Sequence, residues 1–157
     1  MKYTLLYLVA IVGINIGFEH FKPIALPNGD LWPPMSLAVG MIFVLRDYAQ
    51  REIGHRILLV MLIGAALSYW MASPALAAAS LLAYLVSELV DWSIFSFSDW
   101  PFERRVLVSS AISAPVDSAV FLWVIGVHSV TAVALMTISK WIGIAALLAF
   151  KRNREAA

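Results

Sequence analysis

Two copies of one acidic pattern lie within largely apolar segments of this sequence. The pattern Ser-x-x-Val-Asp-x-x-x-Phe begins at Ser87 ("SELVDWSIF") and again at Ser113 ("SAPVDSAVF"). An ionisable group in a membrane-spanning helix costs about 2.5–3.5 kcal/mol on insertion scales, and it usually faces a partner or a cavity. We therefore predict that the two aspartates help to line a polar path for a solute that crosses a membrane.

The aspartate of the second copy has a candidate partner. At a rise of about 1.5 Å per residue, Asp117 and Lys140 both lie roughly 15–17 Å from the outer surface, on adjacent helices. We expect an ion pair between them, because each offsets the desolvation cost of the other. Two interpretations remain open, namely a pair that only joins the two helices and a pair that also serves a solute.

Two acids of the first copy, Glu88 and Asp91, are three residues apart and share a helix face. We expect them in the cytoplasmic half of the membrane, at a depth similar to that of Asp47 on the second helix. An alternative for Asp91 is that its helix ends early, which would place it at the interface near Trp92 and Trp100.

The second apolar segment ends in "VLRDYAQREIGHR". Arg46 with Gln50, and Asp47 with Arg51, are spaced for local pairs one turn apart. As an alternative, the whole stretch is a charged cap that sets topology, although acids contribute little to orientation. Asn15 in the first segment is a further candidate, and a lone buried asparagine often bonds to a neighbouring helix.

Two aromatic residues and one proline complete the candidate set. Phe95 and Phe121 each follow an aspartate by four residues, where they can stack on a flat ligand or pack between helices. Pro115 removes a backbone donor in mid-helix and should kink the helix. Broken helices often line substrate sites in transporters. Small residues around Pro115, including Ser113, permit close helix contact or leave room for a cavity.

The composition indicates the elements that must position these residues. The chain has 157 residues, of which 62% are hydrophobic and 13% charged, whereas soluble domains are about 45–50% apolar and about 25% charged. The net charge of +1 indicates no nucleic-acid partner. The absence of cysteine excludes disulfides and thiolate sites, and the three histidines are too far apart to suggest a metal cluster.

The hydrophobic pattern predicts an all-α, polytopic membrane protein. Each apolar stretch is close to the ~20 residues that a helix needs to cross hydrocarbon. We expect one domain over 1–157 with six spans at about 3–20, 33–50, 55–73, 75–97, 105–127 and 129–150. The segment "KPIALPNGDLW" is predicted to be the first connecting loop.

Basic residues beside the spans predict the orientation. One side of the membrane has nine of them and the other has only Lys22, so both termini are expected to be cytoplasmic, in the inner membrane of the cell. The nine are Lys2, Arg46, Arg51, Arg56, Arg104, Arg105, Lys151, Arg152 and Arg154.

Four stretches in this order resemble the VUT family, also known as queuosine precursor transporters, which are small six-helix bacterial proteins. They are "RDYAQREIG", "SELVDWSIF", "SAPVDSAVF" and Lys140. Matching positions are Asn15, Asp47, Arg51, Gly54, Asp91, Phe95, Asp117 and Lys140. The sequence departs from the family where Glu88 replaces a usual glutamine and where Ala114 and Pro115 replace a more polar pair.

The resemblance implies a transporter, with no enzymatic activity and no cofactor, that imports 7-cyano-7-deazaguanine or a related base. For such a cargo we hypothesise that Glu88 or Asp117 binds the edge of the base, that Lys140 binds its carbonyl or balances charge, and that Phe95 or Phe121 stacks on the ring. Two other classes remain open: the substrate-binding subunit of an ATP-driven importer, and a membrane-embedded lipid-modifying enzyme. Faces of small residues predict a homo-oligomer.

Overall fold

The computed structural model describes residues 1–27, 29–71 and 74–155. Within them the chain forms six α-helices, which we number α1 to α6. Their bounds are Lys2–His20, Ser36–Ile53, Ile57–Met71, Pro74–Phe97, Phe102–Val124 and Val130–Glu155. The predicted all-α class is therefore confirmed.

The segment between α1 and α2 was predicted to be a loop, and the structure adds a short hairpin to it. Strand β1, Ile24–Ala25, pairs antiparallel with strand β2, Leu31–Trp32. The indole of Trp32 donates a hydrogen bond of 2.7 Å to the hydroxyl of Ser139 on α6. The hairpin is thus attached to the helix that carries Lys140.

Contacts with α1 establish the directions of the next two helices. Thr4, near the start of α1, bonds to Glu52 near the end of α2, whereas Asn15, late in α1, bonds to Ser68 late in α3. Accordingly α2 runs antiparallel to α1, and α3 runs parallel to it. The reversal occurs at Gly54, whose φ of 62° is unfavourable for residues with a side chain, and which begins a 3₁₀ turn, Gly54–Arg56.

The two ends of the described chain lie at the same end of the bundle. The ammonium group of Lys151, on α6, is 5.1 Å from the ring centre of Tyr3 on α1. That both termini lie on one side of a membrane stays a prediction, as does the cytoplasmic location of that side.

Five stretches of the described residues are long and apolar enough to cross a membrane, whereas the sequence predicted six spans. One of the five, Ser36–Met71, contains both α2 and α3. Because α3 alone has 15 residues, it is shorter than the ~20 residues that a helix needs to cross hydrocarbon. The multi-pass character is clear, and the sixth separate span remains a prediction.

Helix α2 lies at the centre of the bundle. Every residue from 42 to 50 is buried. Two glycines allow the backbones of α2 and α6 to come into direct contact. A Cβ on Gly40 would lie 2.0 Å from the carbonyl oxygen of Lys140, and a Cβ on Gly143 would lie 1.9 Å from the carbonyl oxygen of Leu37. This crossing brings the backbone of Lys140 against α2.

Candidate functional site

The first part of the site is an ion pair between the last two helices. Nζ of Lys140 lies 2.5 Å from Oδ2 of Asp117 and 2.7 Å from Oγ of Ser118. The other carboxylate oxygen of Asp117 accepts a hydrogen bond of 3.1 Å from Ser87 on α4. Lys140 is 1% exposed and Asp117 is 15% exposed. The predicted pair is confirmed, and it connects α4, α5 and α6.

The second part is centred on the guanidinium group of Arg46, on α2, which is fully buried. Nη2 lies 3.0 Å from Oδ1 of Asp47, and Nε lies 3.5 Å from Oε2 of Glu88. Nη2 also forms an ion pair with Asp91, while Nη1 donates a bond of 2.5 Å to Gln50. One cation therefore holds three buried carboxylates from two helices.

The two parts are adjacent along α4, because Ser87 belongs to the first and Glu88 to the second. Helix α5 also contacts both, since Ser109 donates a bond of 3.0 Å to Asp47 and Asp117 belongs to the Lys140 pair. A polar interior therefore connects α2, α4, α5 and α6.

Helix α1 reaches this interior through two tyrosines. The hydroxyl of Tyr7, which is fully buried, donates a bond of 3.2 Å to Oε2 of Glu88. It also bonds to the hydroxyl of Tyr84 on α4. Oε2 of Glu88 thus contacts both the guanidinium of Arg46 and the hydroxyl of Tyr7.

Carboxylates outnumber cations in this interior. Four acids, Asp47, Glu88, Asp91 and Asp117, face two bases, Arg46 and Lys140. Several buried oxygens have no hydrogen-bond partner within the described residues, namely Glu88 Oε1, Ser110 Oγ and Thr137 Oγ1. Since unsatisfied buried polar groups are costly, the arrangement can accept additional N–H or O–H donors.

Arg46 is the residue that the sequence analysis missed. It was counted among the bases that flank the membrane, but it lies inside the bundle, so that count falls from nine to eight. Its predicted bond to Gln50 is confirmed. The predicted pair of Asp47 with Arg51 is wrong, because Asp47 pairs with Arg46 and the guanidinium of Arg51 lies 4.5 Å from the ring centre of Phe102.

Burial also decides the alternative for Asp91. Its side chain is fully buried and is paired with Arg46, and α4 continues to Phe97, so the alternative that this helix ends early at Asp91 is wrong. The prediction that Glu88 and Asp91 share a face is confirmed, because both contact the same guanidinium.

The remaining candidates lie in different surroundings. Phe95 is buried against Phe102, with ring centres 5.7 Å apart, and the guanidinium of Arg46 is 5.8 Å from its centre. Phe121 packs on a separate apolar cluster around Leu122. Asn15 donates bonds of 2.8 Å to the carbonyl of Ile11 and 3.2 Å to Ser68, so it joins α1 to α3.

Pro115 lies within α5, which continues from Phe102 to Val124. A proline provides no N–H for the carbonyl four residues earlier, here that of Ala111. The indole of Trp141, on α6, donates a hydrogen bond of 3.0 Å to this carbonyl. A neighbouring helix therefore satisfies the acceptor that the proline leaves without a partner.

A cavity of about 380 Å³ opens at the end of the bundle that holds the chain ends. Gln50 lines it and also holds Arg46, so one amide lies between the cavity and the buried charges. Nε2 of Gln50 donates a bond of 2.8 Å to Ser96, which closes α2 against α4. At the opposite end, Trp123, His128 and their neighbours line an apolar cavity of about 220 Å³.

Comparison with known proteins adds one finding. The family described as "Putative vitamin uptake transporter" matches residues 35–150, which include every charged residue of the polar interior. No curated protein and no solved structure matches the chain. The match covers well over half of the sequence, so the chain belongs to this family.

Proposed function

We propose that this member of the vitamin uptake transporter family imports a purine-like base of the queuosine-precursor class, 7-cyano-7-deazaguanine or a related 7-deazapurine. One observation carries the proposal, namely the excess of buried carboxylates over cations. An interior with more carboxylates than cations suits a cargo that is rich in N–H groups and carries no negative charge.

A deazaguanine has such an edge. Its ring N–H and its exocyclic amino group are two parallel donors, which one carboxylate can accept together. Hydrogen bonds with an ionised acceptor are about twice as strong as neutral ones, and paired geometry adds specificity. Glu88 is the best candidate acceptor, because Oε1 has no partner among the described residues. Oε2 already contacts Arg46 and Tyr7, so the second donor of the base has to replace the bond from Tyr7. Asp117 is less available, since both of its oxygens are engaged.

Lys140 is proposed to bind the carbonyl oxygen of the base. Its ammonium group already donates to Asp117 and Ser118, and an ammonium has three donors. Ser113, whose buried side chain interacts with Asp91, is a second candidate contact on α5. Asp47 and Asp91 hold Arg46 in place. Phe95 or Phe121 is proposed to stack on the ring of the base.

The proposed path crosses the inner membrane through six spans, with both termini in the cytoplasm. The cavity beside Gln50 is then the inner vestibule. To pass between the vestibule and Glu88, a base has to displace the bond between Gln50 and Ser96, which makes this bond the proposed inner closure.

A second candidate function is that of a substrate-binding subunit beside an ATP-driven partner. The six helices of the described chain suit it, and the given sequence has no Gly-x4-Gly-Lys nucleotide-binding motif. Purified protein in sealed vesicles distinguishes the two functions, because a transporter accumulates or equilibrates the base alone, whereas a subunit only binds it.

The test is an uptake screen with 7-cyano-7-deazaguanine, guanine and a 7-deazapurine that lacks the exocyclic amino group. We expect uptake of the first by the wild type, and a loss of at least about tenfold in Glu88→Gln and Asp117→Asn. The matched control is Glu103→Gln, an exposed acid at the start of α5. Equal uptake by wild type and Glu88→Gln, or equal uptake of the base without the amino group, would exclude the proposed contact.

A further inference from the structure

The cavity at the end of the bundle is lined by basic, aromatic and neutral polar residues. It is formed by the end of α2 with the following turn, the end of α4 and the start of α5. Its lining residues are Gln50, Arg51, Gly54, His55, Phe95, Ser96, Phe102 and Arg105. Two of these are arginines, one is a histidine, and no acid is among them.

The two arginines lack acidic partners. None of the ion pairs within the described residues involves Arg51 or Arg105. Nε of Arg105 is buried without a hydrogen-bond partner in the described part of the chain, and Nη1 makes a long bond of 3.4 Å to the carbonyl of Phe95. A buried guanidinium donor that has no acceptor among the described residues can bind an acceptor oxygen of a ligand.

The nearest acid in sequence does not fill this role. Glu52 follows Arg51 directly, but its carboxylate accepts hydrogen bonds from the backbone N–H groups of Tyr3 and Thr4 and from the hydroxyl of Thr4. It also lies 3.5 Å from the terminal amine of Met1. Glu52 is therefore committed to the start of α1.

The aromatic residues hold the arginines at the cavity wall. The guanidinium of Arg51 lies 4.5 Å from the ring centre of Phe102, and that of Arg105 lies 4.9 Å from that of Phe95. Such cation–π contacts orient a guanidinium while leaving its edge donors available. A planar fork of this kind matches the oxygens of a phosphate group.

We infer that this cavity binds a phosphate group, held by Arg51 and Arg105 with the hydroxyl of Ser96 as a further donor. The site lies in the wall of the cavity proposed above as the inner vestibule, and Gln50 connects this cavity to the polar interior. Binding of a phosphate group there does not depend on which solute is transported. Two sources share this chemistry. One is free phosphate, and the other is the headgroup of an anionic lipid, since basic pockets between helices at the cytoplasmic side commonly bind such headgroups.

The test measures the melting temperature of purified protein. In the first arm, detergent-solubilised protein is titrated with inorganic phosphate against chloride at matched ionic strength. In the second arm, protein in phosphatidylcholine bilayers is compared with and without added phosphatidylglycerol. A rise of about 3–6 °C is expected at ligand concentrations about tenfold above the dissociation constant. A rise in the first arm identifies free phosphate, and a rise in the second arm alone identifies a lipid.

Three variants make the test specific. Arg51→Gln and Arg105→Gln should each weaken binding by at least about tenfold, and Arg51 is exposed, so its replacement leaves the core intact. The matched control is Arg104→Gln, because Arg104 stacks on Trp100 and does not line the cavity. The inference is overturned if neither arm shows a rise, or if Arg104→Gln removes the rise as fully as Arg51→Gln does.

Discussion

Asp117 of α5 and Lys140 of α6 form an ion pair of 2.5 Å inside the bundle, and a serine from α4 bonds to the same carboxylate. The pair joins three helices, and through Ser87 it lies next to Glu88 on α4. Separating the structural role from the binding role needs variants that remove each independently.

Neutralising one partner of this pair should destabilise the protein. Asp117→Asn or Lys140→Gln leaves a buried charge without a partner, which costs about 3–5 kcal/mol. The double variant removes both charges and should recover most of that loss, as measured by thermal unfolding in detergent. We expect uptake to remain absent in the double variant, and normal uptake there would show that the pair is purely structural.

Replacing Arg46 should be more damaging than replacing any other arginine. Arg46→Gln leaves Asp47, Glu88 and Asp91 facing one another without a cation, so we expect loss of folded protein, which size-exclusion chromatography of the detergent extract would detect. Arg46→Lys should fail as well, because an ammonium cannot reproduce the planar fork. The matched control is Arg56→Gln, since Arg56 is exposed on the 3₁₀ turn. If Arg46→Gln gave the same yield as the wild type, Arg46 would not be needed to hold the three carboxylates together.

The crossing of α2 and α6 should not tolerate a methyl group. Gly40→Ala and Gly143→Ala each place a carbon within about 2 Å of a backbone oxygen on the partner helix, so the helices must separate. A loss of stability at or above the ~1–3 kcal/mol typical of overpacking is expected. Gly13→Ala is the control, because no atom lies within 4 Å of its Cβ position. Equal melting temperatures for Gly40→Ala and Gly13→Ala would refute the close crossing.

The hydrogen bond from Trp141 should matter only while Pro115 is present. Trp141→Phe removes the donor to the carbonyl of Ala111 and should cost about 1 kcal/mol. In a Pro115→Ala background the helix supplies its own N–H, so the same replacement should cost much less. A double-mutant cycle measures this coupling, and additive effects would show that the two residues act independently.

Much of this architecture follows from the sequence alone. Apolar stretches of about 20 residues predict the helices, because hydrocarbon requires that length and satisfied backbone groups. The pairing of Asp117 with Lys140 was also predictable, since a short connection makes α5 and α6 neighbours and the helical rise sets both residues at one depth. The shared face of Glu88 and Asp91 follows from helical periodicity in the same way.

Only the tertiary structure decided the position of Arg46. Its sequence neighbours Asp47, Gln50 and Arg51 are typical of a helix end at the membrane surface, and local spacing favoured pairs within that helix. The position of α2 at the centre of the bundle instead buries Arg46 against two acids of α4. The bond of Trp141 to the carbonyl left by Pro115 depends on packing in the same way. Helical periodicity predicts which residues share a face. Which neighbouring helix packs against that face depends on how all six helices pack together, and this cannot be inferred from any single segment.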